Sequence, residues 1–300
     1  MSAHPLRPVA GNESREPRIH PSAVVSPGAE LGLGVEIGPF CYLEAGVVVG
    51  AGCRLGPHVC LLSGTRLGAG CTVHSHAVLG DLPQDLNFNG GRSRVEIGED
   101  CVIREGVTVH RGTAPGTVTE VGTGSLLMAN SHVGHNARVG QQVVLANGAL
   151  LAGYAEVGDR AFISGNCLVH QYTRVGRLAM MSGGSAAQMD VPPFCITRSL
   201  EANTVMGLNV IGLRRAGFSP ADRQALKQAF DLLYRGGMGV SAALASIEGL
   251  PENPAVLELL EFVRNSRRGI CKLSREPDPG GSCARTRATR GLRDSRAGPR

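Results

Sequence analysis

The chain has 300 residues, 42% of them hydrophobic but only 4% aromatic and none tryptophan, so it can bury a sizeable core yet lacks the rings that usually fill bundles and sandwiches. Its 42 glycines call instead for a backbone that turns often at close quarters. The formal charge of +5 does not point to nucleic acid, because residues 271–300 hold eight Lys/Arg against three Asp/Glu and leave 22 of each sign over residues 1–270.

Residues 1–18 contain no apolar segment of the kind a signal peptide needs, and nowhere do 18 consecutive apolar residues occur. They read as a disordered N-terminal segment of a cytoplasmic protein with no integral membrane segment. From Ile19 an aliphatic residue returns at every sixth position: Val25, Leu31, Ile37, Leu43, Val49, Leu55, Leu61, Leu67, Val73 and Leu79. The phase resumes at Ile97, Ile103 and Val109, and again from Val121 to Met181, so two interruptions near 82–94 and 111–120 keep the register. A period of six suits neither an amphipathic helix nor simple alternation. Each hexad is therefore a short strand plus a tight turn, its first residue filling a narrow prism and its fifth place small; three hexads make an 18-residue coil. Cys41, Cys53, Cys71, Cys101 and Cys167 all stand at the fifth place, which makes them core fillers rather than disulfide partners or metal ligands.

The solenoid spans 19–193 and is expected to end at Asp190-Val191-Pro192-Pro193, where consecutive prolines interrupt a ladder. A small helical domain follows over 194–270. Ser219-Pro220 caps one helix with Leu226, Phe230 and Leu233 inward, and Asn253-Pro254 caps another with Leu257, Leu260 and Val263 inward. Residues 271–300, rich in Pro, Gly and Arg, read as a disordered basic tail.

An 18-residue coil places His135 against Gly153, Gly153 against Gln171, and Ala152 against His170. With His132, these form one polar constellation just after the second loop. A histidine titrates near working pH and suits a general base. A glycine stacked beside it leaves a backbone N–H open to a developing oxyanion.

The hexads resemble those of the hexapeptide-repeat acyltransferases, which implies a left-handed parallel β-helix, a homotrimer and active sites between subunits. The segments LPQDLNF, RVEIG, REGVTVHRGT, LLMANSHVGHN, LANGALLAG, LVHQY, QMDVPPF and GLNVIGLRRAGFS narrow the resemblance to the UDP-N-acetylglucosamine O-acyltransferases, which begin lipid A synthesis. The resemblance implies His135 as general base, Gly153 as oxyanion donor, and substrate contacts at Asp85, His110, His132, His170 and Gln171. Asn209 and Arg215 match residues that read the nucleotide or pantetheine, and Gly183 sits where bulk limits acyl length. No metal or resident cofactor is implied. The donor is the phosphopantetheine thioester of acyl carrier protein, and the acceptor is a UDP-amino-sugar.

Four positions depart from the family pattern: Asn87 for a lysine, Tyr154 for a histidine, Asn136 for an acid and Ile211 for a glutamate. The acid's replacement would orient the imidazole without lending charge. The competing readings are an N-acyltransferase on a UDP-3-O-acyl-glucosamine, a 3-amino-sugar acyltransferase, a zinc carbonic anhydrase on the same helix using His132 and His135, and a non-catalytic solenoid scaffold.

Overall fold

A computed structural model describes residues 16–274. Most strands are two residues long, one side chain pointing out and the next in: at Glu36–Ile37 the glutamate is partly exposed and the isoleucine buried. The strands stack in parallel into three sheets of 12, nine and eight strands. The 12-strand face begins at Arg18–Ile19, the nine-strand face at Val24–Val25 and the eight-strand face at Glu30–Leu31. Partners lie 18 residues apart, as in Glu36↔Arg54 and His132↔Leu150, except where the loops intervene.

The first hexad residues fill the prism; Leu43, Leu61, Leu79, Leu127, Leu145 and Leu151 are completely buried. Burying such a side chain stabilises the fold by about 1.5–3 kcal/mol. The residue after each is often glycine because the next coil passes close by: a Cβ on Gly122 would lie 2.5 Å from the Gly140 carbonyl carbon. The five fifth-place cysteines are buried and carry a second role. Each thiol donates to a turn carbonyl in the coil above, from 3.0 Å for Cys41 Sγ to Gly56 O up to 3.3 Å for Cys101 Sγ to Gly122 O.

Both loops leave from one corner, between the nine- and eight-strand faces. They are shorter than the interruption in the hexads, covering 82–93 and 111–117, because Arg94 and Val118–Glu120 already belong to strands. They are tied together: Ser93 Oγ donates to Gly112 O at 2.6 Å, and Gly116 N to Arg92 O at 2.8 Å.

Several expectations at the ends are corrected. The prolines at 192 and 193 end the eight-strand face, where a residue in the place of Pro192 would donate its N–H to a further coil, but they do not end the 12-strand face. The strand Cys195–Thr197 continues the 12-strand face, and Thr204–Leu208 pairs antiparallel to it. Residues 271–274 are not tail: Lys272–Leu273 adds the last strand, with Thr204↔Lys272 in register. At the other end Arg18 pairs with Glu36. Residues 1–15 and 275–300 of the expected disordered segments lie outside the described residues.

The C-terminal unit has four helices, α1 (Val210–Arg215), α2 (Pro220–Tyr234), α3 (Val240–Glu248) and α4 (Pro254–Arg264). Ser219 and Asp222 form a capping box on α2, and Asn253 caps α4 while its Nδ2 donates to Asp222 Oδ1 at 2.8 Å, joining the two helix starts. On α4 the buried stripe is Val256, Leu259, Leu260 and Val263, whereas Leu257 is 46% exposed. A 257-260-263 spacing drifts off a 3.6-residue face, and the i, i+3, i+4, i+7 set stays on it. Arg174 anchors this unit to the solenoid, pairing with the buried Asp190 carboxylate at 2.9 Å and donating to Phe262 O.

Candidate active site

The corner that bears both loops gathers most of the expected residues. His110, His132, His135, Gly153, His170 and Gln171 line one cavity of about 430 Å³ on the nine-strand face, with Gln84 from the first loop and Gln188 from the last coil.

The stacking of Gly153 on His135 is close. A Cβ on Gly153 would lie 2.3 Å from His135 Cε1, so no other residue fits there without displacing the imidazole. Gly153 occupies the third place of its hexad. The backbone ladder of a loop-free coil does not use the N–H at that place, which is why Pro39 and Pro57 are accommodated there in earlier coils. Among the described residues the Gly153 N–H donates to no protein acceptor. It is a donor held beside the ring and open to a bound carbonyl oxygen.

His135 is only 8% exposed. Its Nδ1 lies 3.1 Å from Asn136 Oδ1, and the Tyr154 ring packs edge-on against it with centroids 5.4 Å apart. Asn136 is fixed in turn. Its N–H donates to Thr119 Oγ1 at 2.7 Å, and its Oδ1 accepts from both the N–H and the hydroxyl of Thr113 at 3.0 Å. The Thr113 hydroxyl also meets Tyr154 OH at 3.0 Å.

His132 meets Thr108 Oγ1 through Nδ1 at 2.7 Å and packs edge-on with His110. Burial, then the neighbouring His110 and His135, lowers its pKa to about 4. Burial also lowers His110, against the opposing pull of Asp81. Both are therefore neutral near pH 7, suited to hydrogen bonding rather than to carrying charge. His110 Nδ1 is buried without a partner. His170 turns its Nδ1 onto the Gln171 carbonyl at 3.0 Å, which leaves Nε2 outward.

Other expected residues lie elsewhere in this chain. Asp85 is on the first loop, where its Oδ1 accepts the Asn87 N–H at 2.9 Å and shapes the turn. Asn209 and Arg215 line a separate, largely apolar cavity of about 1090 Å³ on the 12-strand face, with Phe162, Met180 and Met206. Asn209 caps α1, accepting from Gly212 N and donating to Leu178 O at 2.9 Å, so both ends of its amide already have protein partners. Gly183 stands at the far corner of the nine-strand face, where the nearest atom to an added Cβ is Gly165 O at 3.9 Å. Between the Gly153 corner and the Gly183 corner run the outward side chains of Leu150, Leu168 and Ala186, the two leucines 41% and 49% exposed.

Thr108, Thr113 and Asp81 are the neighbours that hexad counting did not single out. Thr108 was within reach of it, because the second loop lengthens one coil and brings Thr108 into register with His132. No group of three or more His, Cys, Asp or Glu side chains is placed to hold a metal ion among the described residues. No helix there is long and apolar enough to cross a membrane.

Comparison with known proteins identifies the family of the chain. Residues 190–271 match the family described as UDP N-acetylglucosamine O-acyltransferase, domain 2. The structure of a UDP-N-acetylglucosamine acyltransferase from Bacteroides fragilis is 38% identical, with 84% of this chain and 99% of that one covered at a TM-score of 0.80. The Francisella novicida enzyme of that name is 34% identical over 85% and 94% of the two chains, at a TM-score of 0.82. The Arabidopsis enzyme is 32% identical over 85% and 100%, at 0.74. The solenoid is thus a left-handed parallel β-helix, and the chain is an acyltransferase that belongs to the UDP-N-acetylglucosamine acyltransferase family.

Proposed function

We propose that this protein transfers a 3-hydroxyacyl group from acyl carrier protein to the 3-position of UDP-N-acetylglucosamine, as a cytoplasmic step of lipid A synthesis. The observation that carries the reading is the Gly153 N–H, unused by the fold and held against the His135 ring. His135 takes the proton of the sugar hydroxyl as that oxygen attacks the thioester carbonyl. The tetrahedral oxyanion is held by the Gly153 N–H, the C–S bond breaks, and the imidazolium returns the proton to the leaving thiolate. The neutral His132 and His110, together with His170, bind acceptor and donor by hydrogen bonds. The acyl chain lies over Leu150, Leu168 and Ala186 towards Gly183. No resident cofactor takes part.

The functional unit is a homotrimer. Asn209, Arg215 and their cavity lie on a different face from His135, so a nucleotide that meets both sets spans two chains. Exposed Phe162 and Met206 on the 12-strand face and Ile211 on the adjoining α1 supply apolar surface for such packing.

The test is incubation of purified protein with UDP-N-acetylglucosamine or its 3-amino analogue and a series of 3-hydroxyacyl carrier proteins, products being read by mass spectrometry, alongside light scattering. A 3-O-acyl product from a three-chain particle is expected. Product with the amino acceptor alone would correct the acceptor, no acyl product with either acceptor would refute the transfer, and a fully active monomer would refute the trimer.

A further inference from the structure

Asn136 follows His135 in the chain, and its surroundings determine which ring nitrogen of the neighbouring base carries the hydrogen. The amide end facing Thr113 meets a backbone N–H at 3.0 Å, a group that can only donate. That end is therefore the carbonyl oxygen, whichever way the amide would otherwise turn. The same oxygen lies 3.1 Å from His135 Nδ1. An oxygen that only accepts requires a proton on the nitrogen it faces, so Nδ1 carries the hydrogen and Nε2 keeps a free lone pair.

We propose that the second inserted loop sets the tautomer of His135: Thr113, acting through Asn136 Oδ1, is a positioning residue that holds the imidazole as the Nδ1–H form with Nε2 free to take a proton. The Tyr154 hydroxyl, 3.0 Å from Thr113 Oγ1, closes the chain of contacts on the next coil. Loop placement is enforced by Gly112, where a Cβ would lie 2.1 Å from Thr117 Oγ1 and 3.1 Å from Asn136 Nδ2. The role of His135 as base is the reading proposed above; the tautomer is a separate property of the same ring.

The titratable groups facing the ring are His132 of its own turn, His110 of the strand Thr108–His110 and the Tyr154 phenol of the next coil. Among the described residues no carboxylate is hydrogen-bonded to it. The imidazolium formed during turnover thus has an amide dipole beside it rather than a carboxylate.

The experiment is nitrogen-15 spectroscopy of histidine-labelled protein, with the His135 signals assigned by their loss in His135→Gln. The expected wild-type spectrum shows Nδ1 protonated above the ring's titration. Asn136→Gly accepts the +61° φ of this position without strain and removes only the side chain. It should give mixed tautomers and a fall in kcat of about 10²-fold or more. Asn136→Asp should keep the tautomer, stay active, and move the acid limb of kcat/KM up by about one pH unit as the carboxylate stabilises imidazolium. An Nε2–H form in the wild type, or an unchanged Nδ1–H spectrum in Asn136→Gly, overturns the inference. A failure of the base reading looks different: His135→Gln then remains active while the tautomer is as described.

Discussion

The corner between the nine- and eight-strand faces occurs in two versions. In the early coils its third and fourth hexad places are Pro27-Gly28, Ala45-Gly46 and Ser63-Gly64; in the late coils they are His135-Asn136, Gly153-Tyr154 and Gln171-Tyr172. The flanking core is alike, with Val25, Leu43 and Leu61 matched by Val133, Leu151 and Val169. The fourth place has positive φ in both versions, +80° at Gly46 and +58° at Tyr154. Glycine takes that conformation freely, whereas tyrosine pays about 1 kcal/mol or more. The late corner keeps its larger residues because they hold one another: Tyr154 stacks on Tyr172 at 4.8 Å and bonds to the loop that fixes Asn136. The prism needs only the first and fifth places, so the third and fourth are open to chemistry wherever strain is offset.

Removing chemistry from the late corner should abolish turnover without touching the prism. His135→Ala is expected to lower kcat by about 10²–10⁴-fold with an unchanged circular dichroism spectrum, since the coil's core is untouched. Ala45→Gly, at the same place in an early coil, should leave turnover alone. Near-full activity of the folded His135 variant would mean that another group is the base. Gly153→Ala comes next. The added methyl displaces the imidazole while the N–H remains, and a shift of about 1 Å in a catalytic group lowers turnover by about 10²-fold. Steady-state kinetics at fixed pH decides it; an equally active alanine variant would show that the ring has room to move.

The middle of the molecule was legible because hexads carry their own coordinates. Counting 18 residues from His135 reaches Gly153 and Gln171, and all three line one cavity. What escaped was whatever breaks the period. Thr108 and Thr113 border the second loop, where the count no longer holds. Asp85 matched by motif, yet its side chain is held by its own loop. Asn209 matched by motif too, but its first task here is capping a six-residue helix that contains Gly212 and so left little trace in sequence. Helix α3 has Gly239 at its N-cap and so no side-chain cap, which removed the usual start signal.

The opposite edge of the nine-strand face gives a sharper, smaller effect. Gly183 leaves open the space that the acyl chain would enter after crossing Leu150 and Leu168, so Gly183→Met should shift donor preference towards shorter 3-hydroxyacyl chains. Each methylene excluded from contact is worth about 0.8 kcal/mol, or roughly fourfold in kcat/KM. Competition between donors of different length, read by mass spectrometry, measures the shift. An unchanged profile would place the end of the groove elsewhere.

The smallest effect concerns stability rather than turnover, and it separates the crowded late corner from the open early one. The His132 pKa of about 4 lies below the value near 6.5 expected in the unfolded chain, because burial and the nearby His110 and His135 disfavour its charged form. As pH falls from 6.5 towards 4 the unfolded chain takes up a proton that the folded one refuses. The stabilisation linked to His132 is therefore complete above about pH 6.5 and is lost progressively towards pH 4. His132→Asn keeps a polar group beside Thr108 Oγ1 but has nothing to titrate, so its stability should fall less over that range. Denaturant unfolding at pH 7 and pH 5, at one protein concentration, should show wild type losing about 1–2 kcal/mol more than the variant, the lower figure reflecting solvent screening at a partly exposed site. Parallel losses in both proteins would mean that His132 takes up its proton as readily folded as unfolded, and that the corner is more open to water than its packing implies.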